Sequence, residues 1–358
     1  MPPSVGALRA PENPIITPEL VAPSRPELEV VGVFNPAAIR HDGQVILLLR
    51  VAEAPRGISA GEAAAPVLEP VSGELEVRRW ERGAPGVDTS DPRMIVADGR
   101  TWLTSISHLR LARSADGIRF DIEPTPAIAA ATRYEAFGVE DPRITLLDGT
   151  YWINYTAVSA HGIATALAST RDFNTFERRG IIFPPNNRDV TIFPERIQGR
   201  YVALHRPMPA GVGEPAIWSA SSTDLLAWGE HRLVAAARPG RWEDVKVGGG
   251  AVPFRVRVDG QVHWLAVYHG VSGSPQVYSL GALLLDGDDP SRVVARSREP
   301  ILRPEAPYER SGFFGGVVFT CGLIADGGRV RLYYGAADGV TAVADLSLAD
   351  MLAGLGEP

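Results

Sequence analysis

The sequence has 358 residues, of which 45% are hydrophobic and 22% are charged, a balance typical of a folded globular protein. Its net charge of −7 at pH 7 and its pI of about 5.6 argue against a nucleic-acid partner or an anionic membrane, because phosphates are bound by basic surfaces. A single cysteine, Cys321, excludes an intrachain disulfide and a cysteine-based metal cluster, and we predict no metal site.

The first residues, Met1–Gly6, have neither the basic nor the apolar region of a signal peptide. No apolar run approaches the roughly 20 residues that cross a bilayer. We therefore expect a cytoplasmic protein, and the sequence leaves open whether its copies form a homo-oligomer.

One pattern recurs along the whole chain: an apolar run, a turn built on glycine, and a second apolar or aromatic run. Such turns supply the positive φ angles that a tight hairpin needs. The turn glycines are 56, 50, 50, 61 and 67 residues apart, and a period of this length with about four strands per unit favours an all-β propeller. The six turns are Asp42-Gly43, Asp98-Gly99, Asp148-Gly149, Gln198-Gly199, Asp259-Gly260 and Asp326-Gly327.

A second repeated pattern supports the same unit. Leu111–Phe120, Leu167–Phe176 and Ser219–Trp228 each read as a strand followed by an aspartate-led turn and an aromatic residue. We interpret these aspartates as turn caps and the aromatic residues as packing between units, rather than as functional groups.

Helix signals are scarce, and the clearest comes near the C-terminus, with Ser347 as the predicted N-cap and Gly354 as the stop. Residues 54–105 are predicted to be an insertion or arm on the first unit, since they begin with a stretch rich in Ala, Gly, Pro and Glu with weak periodicity. No linker divides the chain, so we predict a single domain over residues 1–358.

The segment Gly138–Thr145 combines two adjacent carboxylates with a proline and an arginine, just before a predicted strand. Pro142 has no N–H and biases Asp141 towards an extended conformation at the mouth of that strand. A surface ion pair of Glu140 or Asp141 with Arg143 is the simpler interpretation. This segment alone does not decide between such an ion pair and a side chain of Asp141 that faces a cavity.

Further polar residues occur in or beside later hairpins: Arg188, Arg206, Lys246 and His269. Each alone is more typical of an ordinary strand or loop residue. Together they make a cationic set around one acid, which suits phosphate oxygens. The glycines at 248–250 would let the backbone approach a ligand closely.

These residues carry a resemblance to glycoside hydrolase family 130, the inverting β-mannoside phosphorylases. It covers nearly the whole chain, and Gly-Val-Glu-Asp-Pro-Arg followed downstream by His-Arg-Pro and Tyr-His-Gly-Val is a specific combination. The matching segments are Asn35–Ala38, Leu48–Val51, Ser114–Gly117, Gly138–Thr145, Asn187–Asp189, Phe193–Glu195, His205–Pro207, Lys246, Tyr268–Val271 and Tyr333–Asp338.

The resemblance implies a five-bladed β-propeller in which Asp141 is the catalytic acid. It implies that the phosphate-binding residues are Arg188, Arg206, Lys246 and His269, and that the residues holding the mannosyl unit are Asn35, Arg50 and Asp338. It also implies that the proton of Asp141 passes through the 3-hydroxyl of that unit.

The sequence departs from the family pattern in two places. Asp91-Pro92-Arg93 repeats the Asp-Pro-Arg motif within the arm, and we assign it to the insertion rather than to the acid. One of the six hairpins lies in the arm, so the other five agree with five blades. Phe313-Phe314 stands where a more polar residue is expected.

The expected reaction is phosphorolysis of a short β-mannoside to α-mannose 1-phosphate, with inorganic phosphate as co-substrate and no other cofactor. An inverting phosphorylase needs only an acid, because phosphate is the nucleophile, whereas an inverting hydrolase also needs a base. One alternative is a hydrolase on the same fold, for which Glu195 or Glu243 would supply the additional carboxylate. The other is a non-catalytic sugar-binding propeller. We favour β-1,2-mannobiose over β-1,4-linked substrates, with the acceptor held by the arm, Ser159–Gly162 and Tyr308–Arg310.

Overall fold

The computed structural model describes residues 6–69, 71–273 and 275–358, and its regular structure is almost entirely antiparallel β-sheet. The prediction of an all-β chain with few helices is confirmed. No helix in these ranges has the length and apolarity needed to cross a membrane. Two 3₁₀ turns lie at Pro18–Leu20 and Arg133–Glu135.

The first large sheet, sheet 1, has the strand order β10-β9-β3-β2, and the arm leaves it between β3 and β9. The strands of this part of the chain are β1 (Leu8–Arg9), β2 (Leu28–His41), β3 (Gln44–Pro55), β4 (Glu62–Leu68), β5 (Leu75–Glu81), β6 (Val87–Asp88), β7 (Met94–Ala97), β8 (Arg100–Leu103), β9 (Ile106–Ser114) and β10 (Asp121–Ile122).

Sheets 2 and 3 are four-stranded meanders in which each strand pairs with the next along the chain, β11 to β14 and β15 to β18. Their strands are β11 (Val139–Leu147), β12 (Thr150–Ser159), β13 (Gly162–Thr170), β14 (Glu177–Phe183), β15 (Asn187–Ile192), β16 (Tyr201–Pro207), β17 (Ile217–Ser222) and β18 (Trp228–Ala235).

Sheet 4 has the order β19-β21-β22-β23-β27, with β20 also paired to β21, and sheet 5 has the order β1-β26-β25-β24. The first strand of the chain therefore completes the last sheet. The remaining elements are β19 (Lys246–Gly249), β20 (Phe254–Val258), β21 (Gln261–Ser272), β22 (Val277–Asp286), β23 (Val293–Ser297), α1 (Pro307–Arg310), β24 (Val318–Asp326), β25 (Arg329–Ala336), β26 (Val340–Ser347), α2 (Leu348–Ala353) and β27 (Leu355–Gly356).

All six predicted turns join paired strands and contain positive φ angles. Five of them lie in the five large sheets. The sixth, Asp98-Gly99, joins β7 to β8 within the arm.

The predicted turn caps and C-terminal helix are also present. Oδ1 of Asp116 accepts hydrogen bonds from two following backbone N–H groups, and Asp172 and Asp224 repeat this arrangement. The hydroxyl of Ser347 accepts from the backbone N–H of Asp350 at the start of α2, and Gly354 follows its last residue.

The hydrophobic core consists of clusters between neighbouring sheets. Four of them join sheet 1 to 2, 2 to 3, 3 to 4 and 4 to 5. In a further cluster, Val33 and Leu49 of sheet 1 pack with Tyr333 and Val343 of sheet 5. Sheet 5 thus packs on sheet 1 as well as on sheet 4.

The arm forms a hairpin, β4-β5, and a three-stranded sheet, β6-β7-β8. Ala65 and Trp102 of the arm pack against Phe137, which lies four residues before Asp141. The backbone N–H of Leu68 donates to the carbonyl of Ala136 at 2.9 Å. The arm is therefore attached to the segment that leads into β11.

Candidate active site

One pocket contains all eight residues predicted from the sequence to form the site. They come from the first strands of sheets 1 to 4, from β3, β16 and β21, which pair with three of those first strands, and from the turn between β25 and β26. The full lining is Asn35, Arg50, Arg93, Asp141, Arg188, Asp189, Arg206, Lys246, His269, Tyr278, Phe314, Val317, Phe319 and Asp338.

Three polar residues reach this pocket through the same local distortion of a first strand. The pairing register shifts at Asn35 in β2, at Asp141 in β11 and at Asp189 in β15. Their φ angles are +49°, +49° and +56°, in the left-handed region, which Asn and Asp tolerate better than most residues. The expected extended conformation of Asp141 is therefore wrong, because the bulge outweighs the bias from Pro142.

Asp141 is buried and surrounded by donors. Its Oδ1 accepts from Nδ2 of Asn35 at 2.9 Å and from Nη1 of Arg50 at 3.1 Å. Burial opposes ionisation of the carboxyl, but the positive charges of Arg50, Arg143 and Arg188 outweigh it and hold the pKa of Asp141 below its usual value.

Arg143 does not form the surface ion pair that the local sequence allowed. Its guanidinium is buried and donates to three carbonyl oxygens, those of Asp141, Gly249 and Gly250, each at 3.0 Å. It therefore ties β11 to the glycine run of sheet 4.

Glu140 links the predicted sugar-binding and phosphate-binding arginines. Its Oε1 accepts from Nη2 of Arg50 at 2.8 Å, and its Oε2 lies 3.6 Å from Nη2 of Arg188. Nε of Arg50 donates to the hydroxyl of Ser107 at 3.1 Å. The guanidinium of Arg50 is thus fixed from two sides.

Asp189 is a pocket residue that the sequence analysis did not assign, although it belongs to the matched segment at 187–189. Its Oδ2 accepts from Nε of Arg206 at 2.6 Å, and Nε2 of His269 lies 3.8 Å away. Burial opposes its ionisation, but Arg206 and the neighbouring arginines lower the pKa of Asp189 far below its usual range. The signal that could have identified it is its place in that matched segment, directly after Arg188.

The sequence suggested that His269 is one of a cationic set, but the surroundings of its side chain favour the neutral imidazole. Burial, together with the charges of Arg206 and Lys246, lowers its pKa to about 3, although Asp189 acts in the other direction. Nδ1 lies 3.3 Å from the carbonyl oxygen of Gly249, which can only accept, so this nitrogen carries the proton. The imidazole is neutral at pH 7 and leaves Nε2 as an acceptor.

The glycine run of β19 is needed because side chains crowd against it. A Cβ atom at Gly248 would lie less than 3.0 Å from atoms of His269, Asp189 and Arg206. Lys246 begins the same strand, and its Nζ lies 5.0 Å from the ring centre of Tyr278. The glycines thus let the backbone of β19 pass close to these side chains, and its approach to a ligand stays a prediction.

Asp338 is the pocket carboxyl whose pKa is raised. It follows β25 with a φ of +51°, and burial raises its pKa to about 6 although Arg50 opposes the shift. A carboxyl in this state exchanges its proton near neutral pH.

The second Asp-Pro-Arg contributes its arginine to the pocket, whereas Asp91 is absent from the lining. The guanidinium of Arg93 lies 4.0 Å from the ring centre of Phe314, the residue at the second departure from the family pattern. Of the other segments expected at the acceptor side, Ser159–Gly162 and Tyr308–Arg310 contribute no residue to the lining. Glu309 instead is buried beneath sheet 5, where it accepts from the hydroxyl of Tyr334.

Comparisons with known proteins identify the family of the chain. The model of the glycoside hydrolase 130 family, described as beta-1,4-mannooligosaccharide phosphorylase, matches residues 89–357. A beta-1,2-mannobiose phosphorylase of Listeria innocua is 43% identical over 345 residues, which are 95% of this chain and 96% of that protein. A 1,2-beta-oligomannan phosphorylase of Thermoanaerobacter is 39% identical over 69% of this chain and 80% of its own length. The solved structure of the Listeria enzyme in complex with beta-1,2-mannobiose has a TM-score of 0.93 at 42% identity, and the match covers 98% of this chain and 99% of that one.

Proposed function

The chain belongs to glycoside hydrolase family 130, and from that premise we propose that it is a cytoplasmic phosphorylase that cleaves short β-mannosides to α-mannose 1-phosphate with inversion. We propose β-1,2-mannobiose or a short β-1,2-oligomannoside as the substrate, with β-1,4-mannosides next. The relatives named for β-1,2-linked substrates support this order, since they are 43% and 39% identical to the chain.

The observation that carries the proposal is the charge of the pocket. Its lining holds five cationic side chains and three carboxylates, and Arg143, Glu140 and Asp91 pair with lining residues from just behind them. The six positive and five negative charges leave an excess of two positive charges once Asp141, the proposed acid, is protonated. A phosphate dianion would balance that excess. A hydrolase would instead need a carboxylate free to act as a base towards water. Asp189 suits that role poorly, because Arg206 stabilises its ionised form. Asp338 could accept a proton near neutral pH, so the dependence on phosphate decides between the two reactions.

In the proposed reaction, Arg188, Arg206 and Lys246 hold phosphate so that one oxygen faces the anomeric carbon. Neutral His269 would accept a hydrogen bond from a protonated phosphate oxygen through Nε2. The phosphate oxygen forms the new bond as the glycosidic bond breaks on the opposite face. The proton of Asp141 goes to the leaving oxygen, through the 3-hydroxyl of the mannosyl unit as the family resemblance implies.

We further propose that the five large sheets are the blades of a five-bladed propeller. The cyclic order of the interface clusters supports this, because sheet 5 packs on both sheet 4 and sheet 1. So does the position of β1, which pairs with β26 and joins the start of the chain to its last sheet. The pocket would then lie where the first strands converge on the axis.

The test is the dependence of turnover on phosphate. With β-1,2-mannobiose and phosphate, the protein should release α-mannose 1-phosphate and mannose in equal amounts. Arg188→Ala and Arg206→Ala should raise the KM for phosphate by about 10- to 100-fold, the equivalent of a charge-assisted hydrogen bond of about 1.5–3 kcal/mol. Arg119→Ala is the matched control, since that arginine is exposed and lies outside the pocket. Release of two mannose molecules at an undiminished rate without phosphate would instead establish the hydrolase.

The linkage needs a separate experiment. In the reverse direction, α-mannose 1-phosphate is offered with mannose, glucose or N-acetylglucosamine, and the linkage of each product is determined. We expect mannose to be the best acceptor and the product to be β-1,2-linked. A β-1,4 product, or a preference for glucose, would change the substrate while leaving the phosphorolytic mechanism in place.

A further inference from the structure

His205 opens the His-Arg-Pro segment of β16, yet its side chain is absent from the pocket lining. Successive side chains of a strand point to opposite faces, so Arg206 reaches Asp189 in the pocket while His205 turns towards sheet 2. There its buried imidazole stacks on the ring of Phe183, with the two ring centres 4.7 Å apart and the planes at 23°. Any effect of His205 on the pocket therefore passes through the residues that it holds in place.

Both nitrogens of the His205 ring have polar partners. Nδ1 lies 2.9 Å from Nδ2 of Asn187 in β15, and Nε2 lies 3.0 Å from Nδ1 of His231 in β18. Burial, with a smaller effect of His231, lowers the pKa of His205 to about 3, so the imidazole is neutral at pH 7. A neutral imidazole donates from one nitrogen and accepts at the other, which fits a bridge between two partners. The ring therefore links the first strand of sheet 3 to its last.

The side chain of Asn187 depends on His205 for its hydrogen bond. The amide is buried, and its Oδ1 has no partner among the residues that the structure describes. Within those same residues, the contact with Nδ1 of His205 is the one hydrogen bond that this amide makes. A buried amide with no partner at all is destabilising, so removal of the imidazole would let the start of β15 shift.

Arg188 follows Asn187 directly, and its guanidinium is loosely held by other side chains. Its Nη2 lies 3.6 Å from Oε2 of Glu140, and its Nε is buried with no partner in the part of the chain that the structure describes. Arg206, in contrast, donates to Asp189 at 2.6 Å. The backbone of β15 is therefore what sets the place of the Arg188 donors in the pocket.

Resting on the phosphorylase function proposed above, we propose that His205 is a positioning residue of the phosphate site, which aims the guanidinium of Arg188 by anchoring Asn187 at the start of β15. His205 itself touches neither substrate. Histidine suits this position because its flat ring stacks on Phe183 while its two nitrogens reach partners on opposite edges.

Two amide variants separate the two partners of the ring. The amide of His205→Asn can take the place of Nδ1, whereas the amide of His205→Gln can take the place of Nε2. We expect His205→Asn to keep the KM for phosphate within about threefold of the unaltered protein. His205→Gln should raise it by about 10-fold, because the amide of Asn187 loses its partner. The KM for β-1,2-mannobiose should change less than about twofold in both variants.

Three further variants test the link between His205 and Asn187. His205→Phe keeps the stack on Phe183 without a ring nitrogen, so its phosphate KM should equal that of His205→Gln. Asn187→Ala should give the same rise, and the double variant no further rise, because both changes remove one and the same contact. His231→Ala is the matched control: this histidine is exposed, so water can replace it beside Nε2, and the phosphate KM should stay within about twofold.

Urea unfolding of each variant shows whether the fold is retained, and Asn187→Ala carries the test if His205→Phe does not fold. Equal phosphate KM values for His205→Asn and His205→Gln would overturn the proposal. So would a parallel rise in the KM values for phosphate and β-1,2-mannobiose, since His205 would then support the pocket as a whole.

Calorimetric titration with inorganic phosphate separates this inference from the function on which it rests. If the unaltered protein binds no phosphate, both are wrong. If it binds phosphate but releases no sugar phosphate from β-1,2-mannobiose, the proposed function is wrong, and the same order of phosphate affinities among the variants would still support the role of His205. If it is a phosphorylase and all variants bind phosphate equally well, only the role of His205 is wrong.

Discussion

At the scale of single residues, the charge state of Asp141 depends on what occupies the pocket. The cations around the unliganded carboxyl keep its pKa low, yet a general acid has to carry a proton when the bond breaks. Phosphate bound to Arg188 would offset part of the positive field and raise the pKa of Asp141. Binding of phosphate, the nucleophile, would then favour the protonated form of Asp141, which is the form that the reaction needs.

Replacement of the Asp141 carboxyl tests its role as the acid. Asp141→Asn keeps the shape of the side chain and the hydrogen bond to Oδ1, but it cannot supply a proton. Turnover should fall by about 10²- to 10⁴-fold, measured as kcat with saturating substrates. Asp91→Asn, in the other Asp-Pro-Arg motif, should keep most of its kcat and change mainly the KM for the acceptor. The reverse pattern, with Asp91→Asn inactive and Asp141→Asn nearly normal, would mean that the acid has been assigned to the wrong motif.

At the scale of elements, turns were predictable from the sequence and bulges were not. An Asp-Gly pair requires positive φ locally, so Asp148-Gly149 can be recognised without knowledge of the rest of the chain. The bulge at Asp189 depends on the register of β15 against β16, which is set by packing between whole sheets. The neutral state of His269 was missed for the same reason, since its burial arises only when β19 and β21 pair.

The need for glycine in β19 can be tested by substitution at Gly248. Gly248→Ala puts a methyl group against His269, Asp189 and Arg206, so the pair between Asp189 and Arg206 has to shift. We expect the KM for phosphate to rise by about 10-fold or more with the fold retained, as judged by circular dichroism. Gly229→Ala in β18 is the control, because nothing lies within 4 Å of its added carbon. Equal phosphate KM values for the two variants would show that the anion site tolerates displacement of Arg206.

At the scale of the whole molecule, the sequence did not predict how the start of the chain pairs with its last sheet. The turn spacing and the resemblance led to five blades once the arm was set aside; the structure has five large sheets, and that these are the blades of a propeller stays a prediction. Nothing in the two residues of β1 indicated a strand, because its partner β26 lies more than 300 residues away. A strand this short is stabilised by its tertiary contacts, which local propensity does not contain.

Arg9 at the end of β1 makes an ion pair among those contacts. Its Nε and Nη2 donate to the two carboxylate oxygens of Glu309 at 2.8 and 3.0 Å, and Glu309 is fully buried. Burial opposes ionisation of Glu309, but the hydrogen bonds from Arg9 and from its other donors lower its pKa. Arg9→Ala should therefore reduce the free energy of unfolding by about 1–3 kcal/mol at pH 7. Arg40→Ala is the control, since its pair with Asp326 is exposed and should contribute less than about 1 kcal/mol.

The pH dependence distinguishes loss of this ion pair from loss of packing. A carboxyl whose pKa is depressed by folding stabilises the protein above its unfolded pKa of about 4.3, and that contribution disappears as the pH falls through the folded value. The difference between Arg9→Ala and the unaltered protein should thus be full at pH 7 and shrink below about pH 4, as measured by urea unfolding. A difference that stays constant from pH 7 to pH 3 would mean that Arg9 stabilises the pairing of β1 with sheet 5 through its aliphatic stem and backbone. The buried carboxylate would then owe its ionisation to the backbone N–H groups of Glu305 and Ala306.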